Sequence, residues 1–171
     1  MGVQQLTINL SDIESGSDIG FVINGVDEYD YAGRPVSAAG DVNGDGFDDV
    51  IIGADRADPN GEDSGSSYVV FGTSSTDAIE LSTLEQGGGG GFVINGVNAY
   101  DLSGTSASAA GDLNGDGLDD LIIGASHADP NRDGIGSTYV VFGTTDTSAI
   151  ELSDIESGSG GFVINGVDEY D

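Results

Sequence analysis

One repeat, about 70 residues long, constrains this chain more than anything else in it. Phe-Val-Ile-Asn-Gly-Val at 21–26 returns at 92–97 and again at 162–167, offsets of 71 and 70. Ala-Gly-Asp-Val-Asn-Gly-Asp-Gly at 39–46 returns as Ala-Gly-Asp-Leu-Asn-Gly-Asp-Gly at 110–117. Tyr-Val-Val-Phe-Gly at 68–72 returns at 139–143. Repeats of this length are units that bury their apolar faces only by stacking on neighbours. A longer period lies above the first. Leu-Ser-Asp-Ile-Glu-Ser-Gly-Ser occurs at 10–17 and 152–159, whereas the copy from Leu81 has diverged. The larger unit is a two-repeat block of about 141 residues, and both chain ends carry one segment of it.

Within a repeat the apolar residues form short β-branched and aromatic clusters bounded by Gly, Asp, Asn and Ser, which is the signature of strands. Four strands are predicted, at 36–42, 49–53, 66–71 and 92–97. Residues 20–26 are then a spare fourth strand. No sustained 3.6-residue apolar period occurs, so little helix is expected. The predicted fold is all-β, built of β-propeller blades of four antiparallel strands. Residues 1–30 form an overlapping outer-strand segment, 31–97 a first blade and 98–171 a second. The connection 73–91 is long. It holds a short extra strand at 78–81, and its glycine run 87–91 reads as a flexible joint.

Charge narrows the function. The chain has 31 Asp and Glu against three cations, Arg34, Arg56 and Arg132, a net of −28. Three scattered arginines cannot build a phosphate-binding patch, so nucleic acid is excluded as a partner. Cysteine is absent, which removes disulfides and thiolate metal sites. No apolar run approaches the ~18 residues of a membrane span, and residues 1–10 do not read as a signal peptide. Hydrophobic residues make up 37 % of the chain, enough with the strand clusters to set disorder aside.

The chemistry concentrates in one loop, present twice: Asp41, Asn43, Asp45, Phe47 and Asp49, and Asp112, Asn114, Asp116, Leu118 and Asp120. The pattern is D-x-N-x-D-G-x-x-D. Side-chain oxygens at positions 1, 3 and 5 converge around a tight turn, and a glycine at position 6 permits the bend. Position 7 offers a backbone carbonyl, and the Asp at position 9 closes the shell. A donor set made only of hard oxygens selects Ca²⁺. An EF-hand would need Glu at position 12 and flanking helices. Position 12 is Ile52 or Ile123 inside a strand-like run, so the loop joins two strands. Without a cation the crowded carboxylates repel one another, so metal binding is expected to couple to folding.

These loops, with Gly53-Ala54 and Phe71-Gly72 and their copies Gly124-Ala125 and Phe142-Gly143, resemble the FG-GAP repeat of integrin α chains and of bacterial tandem arrays. The family's proline after Gly-Ala is replaced by Asp55 and Ser126, with Pro59 and Pro130 following later. The resemblance implies a propeller, commonly of seven blades, with calcium in the hairpin between strands one and two. It also implies partner recognition on the face away from the calcium loops, where Asp27, Glu28, Tyr29, Asp30, Tyr31, Asp58, Asn60, Glu62 and Asp63 lie.

Two blades cannot close a ring. A homo-oligomer is therefore expected, a trimer or tetramer giving six or eight blades, in which the strand at 20–26 of one chain competes with the strand at 162–167 of another. The expected function is a calcium-binding, extracellular or cell-surface module for binding or adhesion, with a protein or carbohydrate ligand. The alternatives are a scaffold without a ligand of its own, a fragment of a longer array, or an accessory module of an enzyme. No catalysis is expected, because every carboxylate belongs to a repeated loop. His127, the single histidine, reads as a surface residue. Arg132-Asp133-Gly134 is not the integrin-ligand tripeptide in order, and Asn9-Leu10-Ser11 fits a glycosylation sequon.

Overall fold

A computed structural model describes residues 10–16, 20–128 and 135–167. Asn9, Pro130 and the Arg132–Gly134 tripeptide lie outside the described residues. Each repeat forms one antiparallel sheet. The first contains β2 (Val36–Gly40), β3 (Asp49–Ala54), β4 (Ser66–Val70) and β6 (Gly91–Asn95); the second contains β7 (Ser103–Gly111), β8 (Asp120–Ala125), β9 (Ser137–Val141) and β11 (Gly161–Asn165). These are the eight predicted strands in the predicted order. Register slips between Ala38 and Gly40, and at the matching point between Ala109 and Gly111. Both glycines have positive φ, +75° and +71°, so each hairpin enters its acidic loop through the same bulge.

The central strands are buried on both faces, which is why they read as unbroken apolar runs. Ile51, Val69, Phe92 and Ile94 point toward the second sheet and meet Ala107, Leu121, Ile123 and Val141 in one core. The alternate set, Ile52, Tyr68, Val70 and Val93, points the other way and packs with Leu81, Leu84 and partly buried Ile23, Val26 and Ala32. The period-2 alternation thus sends successive side chains into two cores. Full burial of each such Val or Ile contributes about 1.5–3 kcal/mol.

Three features depart from the sequence reading. One-turn helices occur at α1 (Leu10–Glu14), α2 (Leu81–Glu85) and α3 (Leu152–Glu156). α2 and α3 hold because paired apolar residues dock on a sheet: Leu81 with Leu84, and Leu152 with Ile155, are all buried. Buried tyrosine hydroxyls add a tether, Tyr68 donating to Glu85 at 2.7 Å and Tyr139 to Glu156 at 2.8 Å. Burial and the adjoining glutamate push both phenols above their ordinary range.

The connection 73–91 holds the expected short strand, as β5 (Ile79–Glu80), but α2 follows it, and the glycine run is not an open joint: Gly87 N–H donates to the Leu84 carbonyl and Gly88 N–H to the Thr83 carbonyl.

The spare strand contracts to β1 (Ile23–Asn24) and pairs in parallel with β5, Ile23 opposite Ile79. The same pairing recurs one repeat later, where β10 (Ile150–Glu151) runs parallel to β6, Ile150 opposite Ile94. β1 therefore stands where the fourth strand of a preceding blade would stand.

Candidate metal centre

The two acidic loops share most of their hydrogen bonds, and the second adds one from the Gly115 N–H to Asp112 Oδ1 at 2.7 Å. In the first, the Asp41 carboxylate accepts the Asp45 N–H at 3.0 Å and the Gly46 N–H at 3.0 Å. The Asn43 Oδ1 also accepts the Asp45 N–H, at 2.8 Å, while its Nδ2 donates to Asp45 Oδ2 at 2.9 Å. Asp45 Oδ1 accepts the Phe47 N–H at 2.9 Å. In the second loop Asp112 accepts from Asp116 and Gly117 at 3.1 and 3.0 Å, Asn114 accepts from Asp116 at 2.8 Å, and Asp116 accepts from Leu118 at 2.9 Å. Nested Asx turns of this kind need left-handed glycines. Gly44 and Gly46 supply φ of +76° and +89°, Gly115 and Gly117 +79° and +93°.

The ninth position behaves differently from the rest. Asp49 and Asp120 are 1 % and 0 % exposed. Asp49 accepts the Val42 N–H and the Gly72 N–H, both at 2.8 Å. Asp120 accepts the Leu113 N–H at 2.8 Å and the Gly143 N–H at 2.9 Å. One buried carboxylate thus ties the start of each loop to the Phe-Gly pair that follows the third strand. In the sequence these aspartates read as metal ligands alone, and the Phe-Gly glycines carry no task. The constant spacing of 23 residues from Asp49 to Gly72 and from Asp120 to Gly143 was the available signal. A Cβ on Gly143 would meet Leu118 Cβ at 2.6 Å and the Asp119 carbonyl oxygen at 2.7 Å, so glycine alone fits there.

Burial raises the Asp49 carboxyl above the ordinary carboxylate range. The N–H groups of Gly72 and Val42 counter that rise, and the negative charges of Asp45 and Asp41 add to it. A cation placed among Asp41, Asp45 and Asp49 would offset both the burial of Asp49 and the like charge of its two neighbours. Among the described residues no three Asp, Glu or His side chains gather at one point. A cation here would draw on a mixed set: the carboxylates, the Asn43 or Asn114 amide oxygen, and the main-chain carbonyl of Phe47 or Leu118. Each carboxylate oxygen that accepts one N–H keeps a further lone pair. The donor chemistry fits a hard ion of the calcium type.

The remaining candidates scatter. His127 is exposed, its Nδ1 3.0 Å from the Ser126 hydroxyl. Two of the three cations lie over the Tyr31 ring, the Arg34 and Arg56 guanidinium carbons 5.8 and 5.3 Å from its centre. Tyr29 and Tyr100 are exposed nearby in sequence and in the matching loop, and Tyr100 donates a short hydrogen bond to Glu62.

Comparison with known proteins agrees with this architecture. The family described as FG-GAP repeat matches at residues 35–70 and 103–141. Integrin alpha pat-2 of Caenorhabditis elegans is 31 % identical over 91 % of the chain, and integrin alpha-IIb of Mus musculus is 29 % identical over 87 %. A phosphatidylinositol-glycan-specific phospholipase D of Dictyostelium discoideum is 32 % identical over 87 %. The chain spans only 14 %, 14 % and 16 % of the length of these relatives. Among the described residues no helix is long and apolar enough to cross a membrane.

Proposed function

Because the chain belongs to the FG-GAP repeat, integrin-like family, we propose that it works as a calcium-dependent β-propeller module for binding or adhesion outside the cell. The observation that carries this reading is the duplicated loop. Two copies 71 residues apart keep the same Asp, Asn, Asp and Asp positions and share most of the hydrogen bonds that shape them. Asp41, Asn43, Asp45 and Asp49, with the Phe47 carbonyl, hold one ion; Asp112, Asn114, Asp116 and Asp120, with the Leu118 carbonyl, hold the other. Two ions would offset part of the −28 charge and remove the repulsion that crowds Asp49. Loops of this kind bind in the micromolar to millimolar range, suited to calcium-rich surroundings. Thermal melts with 5 mM CaCl₂ and with excess EDTA test the claim. A marked rise in melting temperature with calcium is expected; superimposable melts reject it.

Assembly into a ring of blades is the second part of the proposal. Positions buried between the two sheets are bare at their repeats on the outer face. Val42 is 0 % exposed and its copy Leu113 55 %; Ile94 is 0 % and Ile164 52 %. On the opposite side Val36 is 59 % exposed where its copy Ala107 is 8 %. The far face of the second blade and the near face of the first are complementary halves of the interface already formed inside the chain, a head-to-tail arrangement that closes with three or four copies. Light scattering should return three or four times the 17.2 kDa chain mass. A compact monomer at all concentrations refutes ring closure. The loops bearing Tyr29, Tyr31 and Tyr100 form the proposed contact for a protein or carbohydrate ligand, supported by exposed aromatic rings flanked by Arg and Glu.

A further inference from the structure

We propose that Asp119 couples the two acidic loops, so that a filled second loop raises the affinity of the first. The inference rests on the calcium reading above and adds a regulation within it. Asp119 stands at position 8 of its loop, a place the repeat pattern leaves unassigned. Its Oδ2 accepts the Asp41 N–H at 2.9 Å, and its own N–H donates to the Asp41 carbonyl at 3.1 Å. One residue of the second loop therefore grips both main-chain groups of the residue that opens the first, 78 positions away.

The fit around this clamp is close. A Cβ on Gly40 would lie 2.1 Å from Asp119 Oδ2, and one on Gly44 would lie 2.8 Å from Leu118 Cδ2. A Cβ on Gly143 would lie 2.9 Å from the Val42 carbonyl oxygen. Glycines on both sides of the boundary let the two loops approach backbone to backbone.

The neighbours of Asp119 give the clamp its consequence. Leu118 and Asp120 are positions 7 and 9 of the second loop, both assigned to ion binding. Holding them restricts the backbone torsions of Asp119 between them. That restriction passes through two hydrogen bonds to Asp41, whose carboxylate organises the first loop by accepting from Asp45 and Gly46. The first loop then loses less conformational freedom when it closes on its own ion, which is positive coupling without a change of shape. Coulomb forces act in the opposite sense, because neutralising one loop weakens the negative field at the other. They are screened by salt, the Debye length falling below about 8 Å above physiological ionic strength. The hydrogen-bonded clamp is not screened in this way.

The experiment is a CaCl₂ titration of the full chain in 0.5 M KCl followed by ¹⁵N chemical shifts. The Gly46 amide reports the first loop and the Gly117 amide the second. Four proteins are compared: wild type, Asp112→Ala/Asp116→Ala, Asp119→Ala and Asp119→Asn. In wild type the first loop should bind about 5–10-fold more tightly than in the double variant, within the range of measured allosteric couplings. Asp119→Ala should leave the second loop able to fill while the first falls to the affinity seen in the double variant. Asp119→Asn, which removes the charge and keeps an acceptor oxygen, should retain the coupling. Equal first-loop affinities in wild type and the double variant overturn the coupling and leave calcium binding intact. Loss of coupling in Asp119→Asn as well as Asp119→Ala overturns the clamp, because an acceptor oxygen at that place then does not suffice to carry it. No shift at either glycine up to 10 mM calcium overturns the functional reading and the coupling together. Should Asp119→Ala not fold, the other three proteins still decide.

Discussion

Removing the buried carboxylate of Asp120 separates its architectural role from its part in ion binding. Asp120→Ala leaves the N–H groups of Leu113 and Gly143 without the acceptor that now holds them at 2.8 and 2.9 Å. Both bonds are part-buried, and each donor left unsatisfied where water does not replace the acceptor costs about 1–3 kcal/mol. Some of that returns, because a carboxylate no longer has to be taken out of water. A net loss of about 3 kcal/mol is expected, a large share of a typical 5–15 kcal/mol of stability. For a chain of this length that corresponds to a fall of about 6–12 °C in Tm. The assay is urea unfolding followed by circular dichroism in EDTA, where no ion contributes. The comparison is Asp116→Ala in the same loop. Asp116 is exposed, so water replaces its bonds and the change in EDTA should stay within about 0.5 kcal/mol. In calcium at a hundredfold excess over Kd the order reverses in meaning: Asp116→Ala forfeits the second loop's share of stabilisation, about 2.7 kcal/mol. Finding Asp120→Ala as stable as Asp116→Ala in EDTA would refute the assignment of the ninth position to the backbone.

Two further outcomes follow from the same geometry. The Asp49 carboxyl sits above its ordinary value, so the folded state holds that proton more tightly than the unfolded state. Its contribution therefore favours folding at low pH and is lost as pH rises through the raised value. In EDTA the urea midpoint should increase from pH 7 to about pH 4.5, helped by relief of the net negative charge, and Asp49→Asn should flatten the trend; a midpoint that falls on acidification contradicts it. Gly143→Ala should cost about 2–3 kcal/mol by overpacking against Leu118 and the Asp119 carbonyl, whereas Gly115→Ala, with φ of +79° and open space around the added methyl, should cost only the 1–2 kcal/mol of a left-handed backbone. Equal losses in urea titrations of the two variants would deny the steric argument.

The parts of the structure legible in the sequence are those written locally. Alternation of Val, Ile and Tyr with turn residues marked all eight blade strands, because side chains two apart share a face. Asp41, Asn43 and Asp45 stood out because an Asx-rich turn is decided within nine residues. The contacts that went unread are those between distant segments. Nothing near Asp119 announces Asp41 as its partner, since the bond exists only once the two sheets stack. The helix at Leu81–Glu85 escaped for a different reason: a single turn cannot display a 3.6-residue period, and its stability comes from Leu81 and Leu84 on the sheet beneath. β1 contracted to two residues because, among the described residues, it pairs only with β5, which offers Ile79 and Glu80.

The parallel pairing of β10 with β6, repeated by β5 with β1, makes neighbouring repeats overlap like roof tiles. A break placed between residues 97 and 98, where the sequence periodicity invites one, takes β10 off the rim of the first sheet and exposes the core around Ile94 and Leu121. The two halves are thus unsuited to separate life: they should melt in a single transition, and a cut meant to isolate one repeat would have to carry its successor's short strand along with it.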